Sequence, residues 1–544
     1  RVRAAISFPE TKLPGGRSSA WTHDGGVYRP VNLLVTPPVF VARVDVDAVP
    51  NLEAGSAELE VTVFVHNQSG KVWQGAIGCQ VTDKRTGLTA LTHEAATSLS
   101  LGAGEQRPVK LGPLKMAAAR WWSFDDPQLY ELTATIGGAE PHSFRTTFGV
   151  RQFEVRAGAF YLNGERVSLM GVERMAGSNP EFGMAEPDGW LIHDHDDMKE
   201  LNCVFTRVHW PQDKRVLDYC DRHGMLIQTE VPTWGPRTFR DMEADPDPAI
   251  MRNGLEQLRE MIARDRNHPS IFAWGLCNEI GGQHPPAYKF AARMYEEAKK
   301  LDPRRLRSYA SNSLRKTPEK DVSALMDFVE WNEYYGSWYP GTTAELRDNV
   351  ERLIKAFPGK PIVISEYGWC ACTADRPEGD AKRVDILVEH NRIFRDFPQI
   401  GGLIFFCYND YRTHIGDKGK GVMKQRVHGV ADLYGNRKPS FEALRKESSP
   451  VELLQVSGRP PKLEVAVRTR KLQPGYTLRG YSVRAVVYGY GDIPLERYEM
   501  ALPEMGPGAE ATASFEVEEK LPWRIQVDVM RPTGFSALTT TWRA

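Results

Sequence analysis

NGLEQLREMIARDRNHPSIFAWGLCNE, residues 253–279, decides the fold. Its first part, 253–266, carries an amphipathic helical pattern, and beyond the His-Pro-Ser break the apolar run Ile271 to Cys277 stops at Asn278 and Glu279. A short apolar run bounded by turn residues reads as a strand buried on both faces, the kind found in parallel sheets covered by helices. The same alternation extends in both directions. GMLIQTEVP (224–232) precedes it, PAYKFAARMYEEAKKL (286–301) supplies the next helix, and KPIVISEYG (360–368) and GGLIFFCYN (401–409) supply further strands. From about Phe160 to Arg445 this pattern predicts a (β/α)8 barrel.

Outside that span the period changes to two. AELEVTVFVHN (57–67) and LYELTATIG (129–137) alternate apolar and polar residues between Gly/Asn/Asp-rich turns, as do KLEVAVRTR (462–470), YSVRAVVYGY (481–490) and WRIQVDVMR (523–531) after the Pro-flanked ESSPVELL (447–454). Alternation of this kind predicts a β-sandwich on each side of the barrel. GGVYRPVNLLVTPP (25–38) resembles the last strands of something larger, with too little before it to close a core. The expected organisation is multidomain α/β plus all-β: a fragment over 1–40, a sandwich over 41–155, the barrel over 156–448 and a second sandwich over 449–544.

Composition narrows the function classes. The chain has 544 residues, 41% hydrophobic and 26% charged, with Lys+Arg 69 against Asp+Glu 70. Near-neutral charge without a basic run argues against a nucleic-acid partner, and no segment approaches the ~20 consecutive apolar residues of a membrane helix. Seven scattered cysteines make no disulfide scaffold, and most sit in apolar runs as small buried hydrophobes. His193 and His195 in WLIHDHDDMKEL, two apart on a helix, share no face for a metal, and Asp194 or a neighbour reads as a helix cap. GDKGKG (416–421) lacks phosphate-loop spacing.

In a barrel of this kind the chemistry sits at the C-terminal strand ends, so polar residues directly after apolar runs are the informative ones. Glu279 follows one such run and Glu366 ends another, PIVISEYG (361–368). Two carboxylates delivered to one barrel mouth suit glycoside hydrolysis, in which one is a protonated acid and the other an ionised nucleophile. A peptide or ester hydrolase would call for G-x-S-x-G or H-E-x-x-H, and neither occurs. A non-catalytic carbohydrate-binding scaffold is disfavoured by the presence of both glutamates and Asn278.

These motifs resemble glycoside hydrolase family 2, the family of β-galactosidase, β-glucuronidase and β-mannosidase, in the family's order over about 27 to 450. GGVYRPV (25–31) resembles the exit of its N-terminal sugar-binding jelly roll, so residues 1–40 are expected to be a partial jelly-roll remnant, from a longer chain or one whose start is not included. WSFDDPQLYELTATI (122–136) and TTFGVRQFEV (146–155) resemble its immunoglobulin-like domain, and YLNGERVSLMGVER (161–174) the start of its barrel. TRVHWPQ (206–212), NHPSIFAWGLCNE, VISEYG and GVADLYGNRKPSFEALR (429–445) resemble the second-strand, acid/base, nucleophile and closing segments.

The resemblance implies a retaining exo-β-glycosidase in which Glu279 is the general acid/base, Glu366 the nucleophile and Asn278 the partner of the sugar 2-hydroxyl. Tyr335, in WNEYYGSWYP (331–340), is expected to donate a hydrogen bond to the nucleophile, and Arg207 to keep it ionised. His209 and Trp234 would line the −1 subsite, and Asn332 and Phe406 complete the substrate-binding set. The implied partner is a carbohydrate substrate, with no metal and no organic cofactor; homo-oligomerisation and compartment are left open.

Departures from the pattern bear on the sugar. Met175 stands where the family usually has a His, with Glu173 nearby, and Phe406 where it shows a stacking Trp. The β-glucuronidase N-x-K carboxylate clamp is replaced by Arg426 and His428, while Arg412 or the Lys run 416–424 could hold an acidic sugar. The expectation is a neutral β-galactoside first, with a β-glucuronide or other uronide as the alternative.

Overall fold

The computed structural model describes residues 12–14, 21–22, 24–371, 379–413 and 424–543. All of the Lys run except Lys424 falls outside them. Eight parallel strands form the barrel: β1 (Leu169–Glu173), β2 (Phe205–Arg207), β3 (Leu226–Glu230), β4 (Ile271–Asn278), β5 (Leu306–Ser311), β6 (Val329–Asn332), β7 (Ile362–Tyr367) and β8 (Ile400–Phe406). Their hydrogen-bonded order is β1-β8-β7-β6-β5-β4-β3-β2. Each strand is buried along its whole length, which is why the sequence shows apolar runs and not alternation. At the β1/β2 seam Thr206 Oγ1 donates to the Val172 carbonyl at 2.7 Å, and the chains approach so closely that a Cβ on Gly171 would lie 1.8 Å from the Phe205 carbonyl oxygen.

Among the described residues, seven α-helices cover the strands: α1 (Asp188–Glu200), α2 (Lys214–His223), α3 (Pro248–Asp265), α4 (Pro285–Leu301), α5 (Thr343–Ala356), α6 (Gly379–Phe394) and α7 (Pro439–Glu447). In α4, Ala287, Phe290, Ala291, Met294 and Ala298 recur at three- and four-residue spacing and form the inward stripe. No α-helix follows β5. Its place is taken by the 3-10 turns Pro318–Lys320 and Val322–Leu325, where Asp321 caps the second turn and accepts hydrogen bonds from Tyr309, Ser311 and Ser313. Asp194 caps no helix. It lies inside α1, buried, and pairs with Arg174 Nε at 2.7 Å.

The first sandwich packs a sheet of Val39–Asn51, Ser56–Asn67 and Gln106–Met116 on one of Trp73–Asp83, Thr89–Leu101, Tyr130–Ile136 and His142–Phe148. Asn267 joins it to the barrel, accepting from Val46 N at 2.9 Å and donating to Val44 O at 2.7 Å and Thr146 Oγ1 at 2.9 Å. A small sheet of Phe153–Arg156, Ala159–Leu162 and Glu165–Val167 then closes the barrel floor, where the rings of Phe153, Phe160, Phe205, Phe272 and Phe328 pack in tilted and edge-on contacts. The C-terminal sandwich, Val451–Arg459 to Ser536–Trp542, is anchored by Arg531, whose guanidinium reaches Asn202 Oδ1 at 3.0 Å and Asp125 Oδ1 at 3.2 Å. With the floor sealed by aromatic rings, the barrel opens at the C-terminal strand ends. The described residues before Val39 include no strand, and Trp21 and Asp24 lie against that mouth.

Candidate active site

Glu279 directly follows the last residue of β4 in a left-handed backbone conformation, φ +55°, with its N–H donating to Ala310 O at 2.8 Å. Side-chain-bearing residues adopt this region rarely, and here it turns the carboxyl group into the mouth. Asn332, ending β6, donates from Nδ2 to Glu279 Oε1 and to Asn278 Oδ1, each at 3.0 Å, and Ser365 Oγ fixes its amide by donating to Oδ1 at 2.8 Å. Burial, followed by the nearby charge of Glu366, pushes the Glu279 carboxyl up to about 7. At neutral pH it holds a proton for much of the time.

Glu366, on β7, is handled in the opposite way. Oε1 accepts from Arg207 Nη1 at 2.8 Å and Oε2 from the Tyr334 hydroxyl at 2.7 Å. Arg207, at the end of β2 and wholly buried, also donates from Nη1 to Glu173 Oε2 at 3.1 Å and from Nη2 to Asn278 Oδ1 at 3.1 Å. Asn278 Nδ2 is buried without a hydrogen-bond partner among the described residues, a donor held ready beside the acids.

A cavity of about 320 Å³ opens over this group, lined among others by Glu279, Glu366, His209, Trp234, Asn332, Tyr334 and Phe406. Phe406 lies nearly parallel to His209, centroids 6.0 Å apart, and Trp234 meets Trp21 edge-on at 6.1 Å. The structure thus brings Glu279, Glu366, Asn278, Arg207, His209, Asn332, Trp234 and Phe406 together. It does not bring Tyr335, which packs edge-on against Trp331 and Tyr339. The hydroxyl on the nucleophile candidate belongs to Tyr334. The chain past β6 keeps a two-residue period: Asn332 points in, Glu333 points out to His390 Nδ1 at 2.8 Å, and Tyr334 points in again. Extending that alternation one step past the apolar run would have selected Tyr334.

Sequence reasoning also missed Trp21, Trp338, Tyr411 and Asn312 on the cavity wall. Arg426 stands there under the Trp338 ring, 5.5 Å from its centroid, together with His428 and Met175. Arg412 is turned to Asp24, 2.6 Å away, and the carbonyl of Gly177. Glu173, His209 and Glu366 offer three donor atoms within 4.8 Å of one another, but Arg207 Nη1 bridges the two carboxylates, so the cation they face is a guanidinium.

Two family models cover most of the described barrel and the first sandwich: glycosyl hydrolases family 2, TIM barrel domain, over residues 153–383, and glycosyl hydrolases family 2 over residues 39–151. The chain belongs to glycoside hydrolase family 2. It is 29% identical over 353 residues to a β-glucuronidase of Bacteroides fragilis, covering 63% of this chain and 49% of that one. It is 28% identical over 453 residues to a β-galactosidase of Thermoanaerobacterium thermosulfurigenes, covering 78% and 56%. The chain therefore spans about half the length of these curated relatives. The fold is shared with a family 2 β-galacturonidase of Eisenbergiella tayi bound to galacturonate, TM-score 0.69 at 22% identity over 81% of this chain and 77% of that one. It is shared also with β-glucuronidase 2 of Bacteroides uniformis, TM-score 0.69 at 21% identity over 97% and 64%.

Proposed function

We propose that this family 2 chain is a retaining exo-β-glycosidase with Glu366 as nucleophile and Glu279 as general acid/base. One observation carries the reading: two buried glutamates share one cavity in opposed environments, Glu279 pushed up to about 7 and Glu366 held by Arg207 and Tyr334. In the first step Glu366 attacks the anomeric carbon, the bond to the aglycone oxygen breaks, and the Glu279 proton passes to that oxygen. Glu279, now ionised, takes a proton from water, which attacks the glycosyl–Glu366 ester and releases Glu366 and a β-configured sugar. The Asn278 amide would donate to the 2-hydroxyl as charge develops on the ring.

For the sugar, the cavity wall supports a β-uronide over the neutral hexoside expected from sequence, because Arg426 stands on it as a cation suited to a carboxylate. A β-galactoside is the second reading, supported by the alignment with the T. thermosulfurigenes relative. Nitrophenyl β-glucuronide, β-galacturonide and β-galactoside decide between them. Arg426→Ala should cost the uronides roughly tenfold or more in kcat/KM and leave the galactoside nearly unchanged. Wild-type preference for the galactoside would overturn the uronide reading. Glu366→Ala should abolish turnover, and azide should restore release from an aryl β-glycoside as the α-glycosyl azide, since it enters by the face the carboxylate vacates. Undiminished turnover in that variant would overturn the nucleophile assignment.

A further inference from the structure

Glu173, at the end of β1, has no step in the double displacement, yet it is wholly buried at the barrel mouth. Its Oε2 accepts from Arg207 Nη1 at 3.1 Å, and its Oε1 has His209 Nδ1 at 2.8 Å. On the other side of the same imidazole, Nε2 lies 3.6 Å from Glu366 Oε1. Nδ1 lies at ion-pair distance from the Glu173 carboxylate and Nε2 faces that of Glu366, so the imidazole stands between two acids, with Arg207 Nη2 3.5 Å from Nδ1.

The charges facing His209 come from five strands. Glu173 is on β1, Arg207 on β2, Glu230 on β3 and Glu366 on β7, and Glu279 follows β4; the remaining wall is the rings of Trp21, Trp210 and Phe406. Burial pushes Glu230, like Glu279, up to about 7, while Glu173 and Glu366 share the Arg207 Nη1 donor, at 3.1 and 2.8 Å. Arg207 supplies one positive charge, and a protonated His209 supplies the second. Burial works against the imidazolium, but its pairing with Glu173 outweighs that and raises His209 above the ordinary histidine value.

We propose that Glu173 is a positioning residue that holds His209 as an imidazolium against Glu366, so that a carboxylate–imidazolium pair acts beside Arg207 to keep the nucleophile ionised. The inference rests on Glu366 being the nucleophile. Removing Glu173 takes away the proton-holding partner. His209 then turns neutral, and Glu366 loses one of its two cations and ionises at higher pH.

The test is the pH profile of kcat/KM on a nitrophenyl β-glycoside for wild type, Glu173→Gln, His209→Asn and the double variant, with Glu366→Ala alongside. Glu173→Gln and His209→Asn should each move the acid limb up by roughly one pH unit, the size of effect expected for an opposite charge in contact. The double variant should be no worse than the poorer single one, because the two residues act as a unit. A folded Glu173→Gln with its acid limb in place overturns the proposal, as do effects that multiply in the double variant. Should Glu173→Gln fail to fold, His209→Asn decides alone: it leaves the Glu173–Arg207 contact intact, and an unmoved limb refutes the role. An active Glu366→Ala refutes the nucleophile reading itself. An inactive Glu366→Ala with unmoved limbs in the other variants refutes only this inference.

Discussion

Replacing Glu279 by Gln tests the acid/base assignment most directly, because its size and sign follow from the geometry. The carboxyl group is pushed up to about 7 by burial and by Glu366. The protonated form is the one that assists departure, so wild-type kcat/KM on an alkyl β-glycoside should fall tenfold per pH unit above about 7, roughly a hundredfold by pH 9. Glutamine is isosteric but gives no proton, so the variant should lose the ~10²–10⁴-fold due to general acid catalysis, and its residual rate should lack the basic limb. On a dinitrophenyl glycoside, whose leaving group needs no proton, the first step should be nearly unaffected, and a burst should appear as the glycosyl-enzyme accumulates without its base. Asn332→Ala supplies the sign test. The Asn332 amide donates to Glu279 Oε1 at 3.0 Å and so favours the ionised form. Its removal should move the basic limb to higher pH. Stopped-flow and steady-state profiles between about pH 5 and 9 read all of this. A basic limb that survives in Glu279→Gln, or moves down in Asn332→Ala, would refute the reasoning.

Tyr334→Phe removes a donor to a carboxylate, worth about 1.5–3 kcal/mol, and should cost roughly 10–100-fold in kcat/KM, whereas Tyr335→Phe should stay within a few-fold of wild type. Equal losses in the two would show that the hydroxyl near Glu366 is misassigned. Gly171→Ala puts a Cβ 1.8 Å from the Phe205 carbonyl oxygen and should lower the melting temperature sharply or prevent folding, as judged by circular dichroism; a native melt would contradict the closeness of the seam. Glu279→Gln should also be more stable than wild type at pH 8 and equal to it near pH 4. A carboxyl whose folded value is raised from 4.5 to about 7 contributes stability that is present below its unfolded value and lost as pH rises through 7, about 3 kcal/mol in all, and glutamine escapes that loss. Equal denaturation midpoints at pH 8 would show that Glu279 ionises without cost. Asn267→Ala removes three hydrogen bonds between the barrel and the first sandwich and should cost about 1–3 kcal/mol by chemical denaturation; an unchanged midpoint would show that the junction is held elsewhere.

The barrel and its two acids could be read from sequence because burial on both faces writes itself as a continuous apolar run, and Glu279 and Glu366 stop two such runs. β6 escapes that reading. VEWN has four residues, one of them Glu330, whose buried carboxyl group accepts from Gln228 Nε2 at 3.0 and 3.1 Å, a partner 102 positions away. Tyr334 was displaced by one position because the alternation of β6 persists beyond its apolar part. Trp21 was out of reach for another reason: its contacts, His209, Trp210 and Trp234, are all about 190 or more positions away, and no local period encodes them. Glu173 ends the run LMGVE by the same rule that selects Glu279, although the departure from the family pattern there lies at Met175, two positions on.

The sequence presents the strand-end acids as equivalents, and the Arg207 guanidinium makes them differ. Glu173, Glu230 and Glu366 each touch Arg207, at 3.1, 3.4 and 2.8 Å, while Glu279 touches Asn332 and feels Arg207 only weakly through space. Once Glu366 has the shortest of those contacts and a tyrosine donor as well, its charge becomes a reason for Glu279 to stay protonated. The proposed division of labour between nucleophile and acid therefore follows from the reach of Arg207 on β2 and not from any intrinsic difference between two glutamates. A lysine at that position, a point charge without the planar fork, would reach fewer of these oxygens at once and would leave the two acids closer to equivalence.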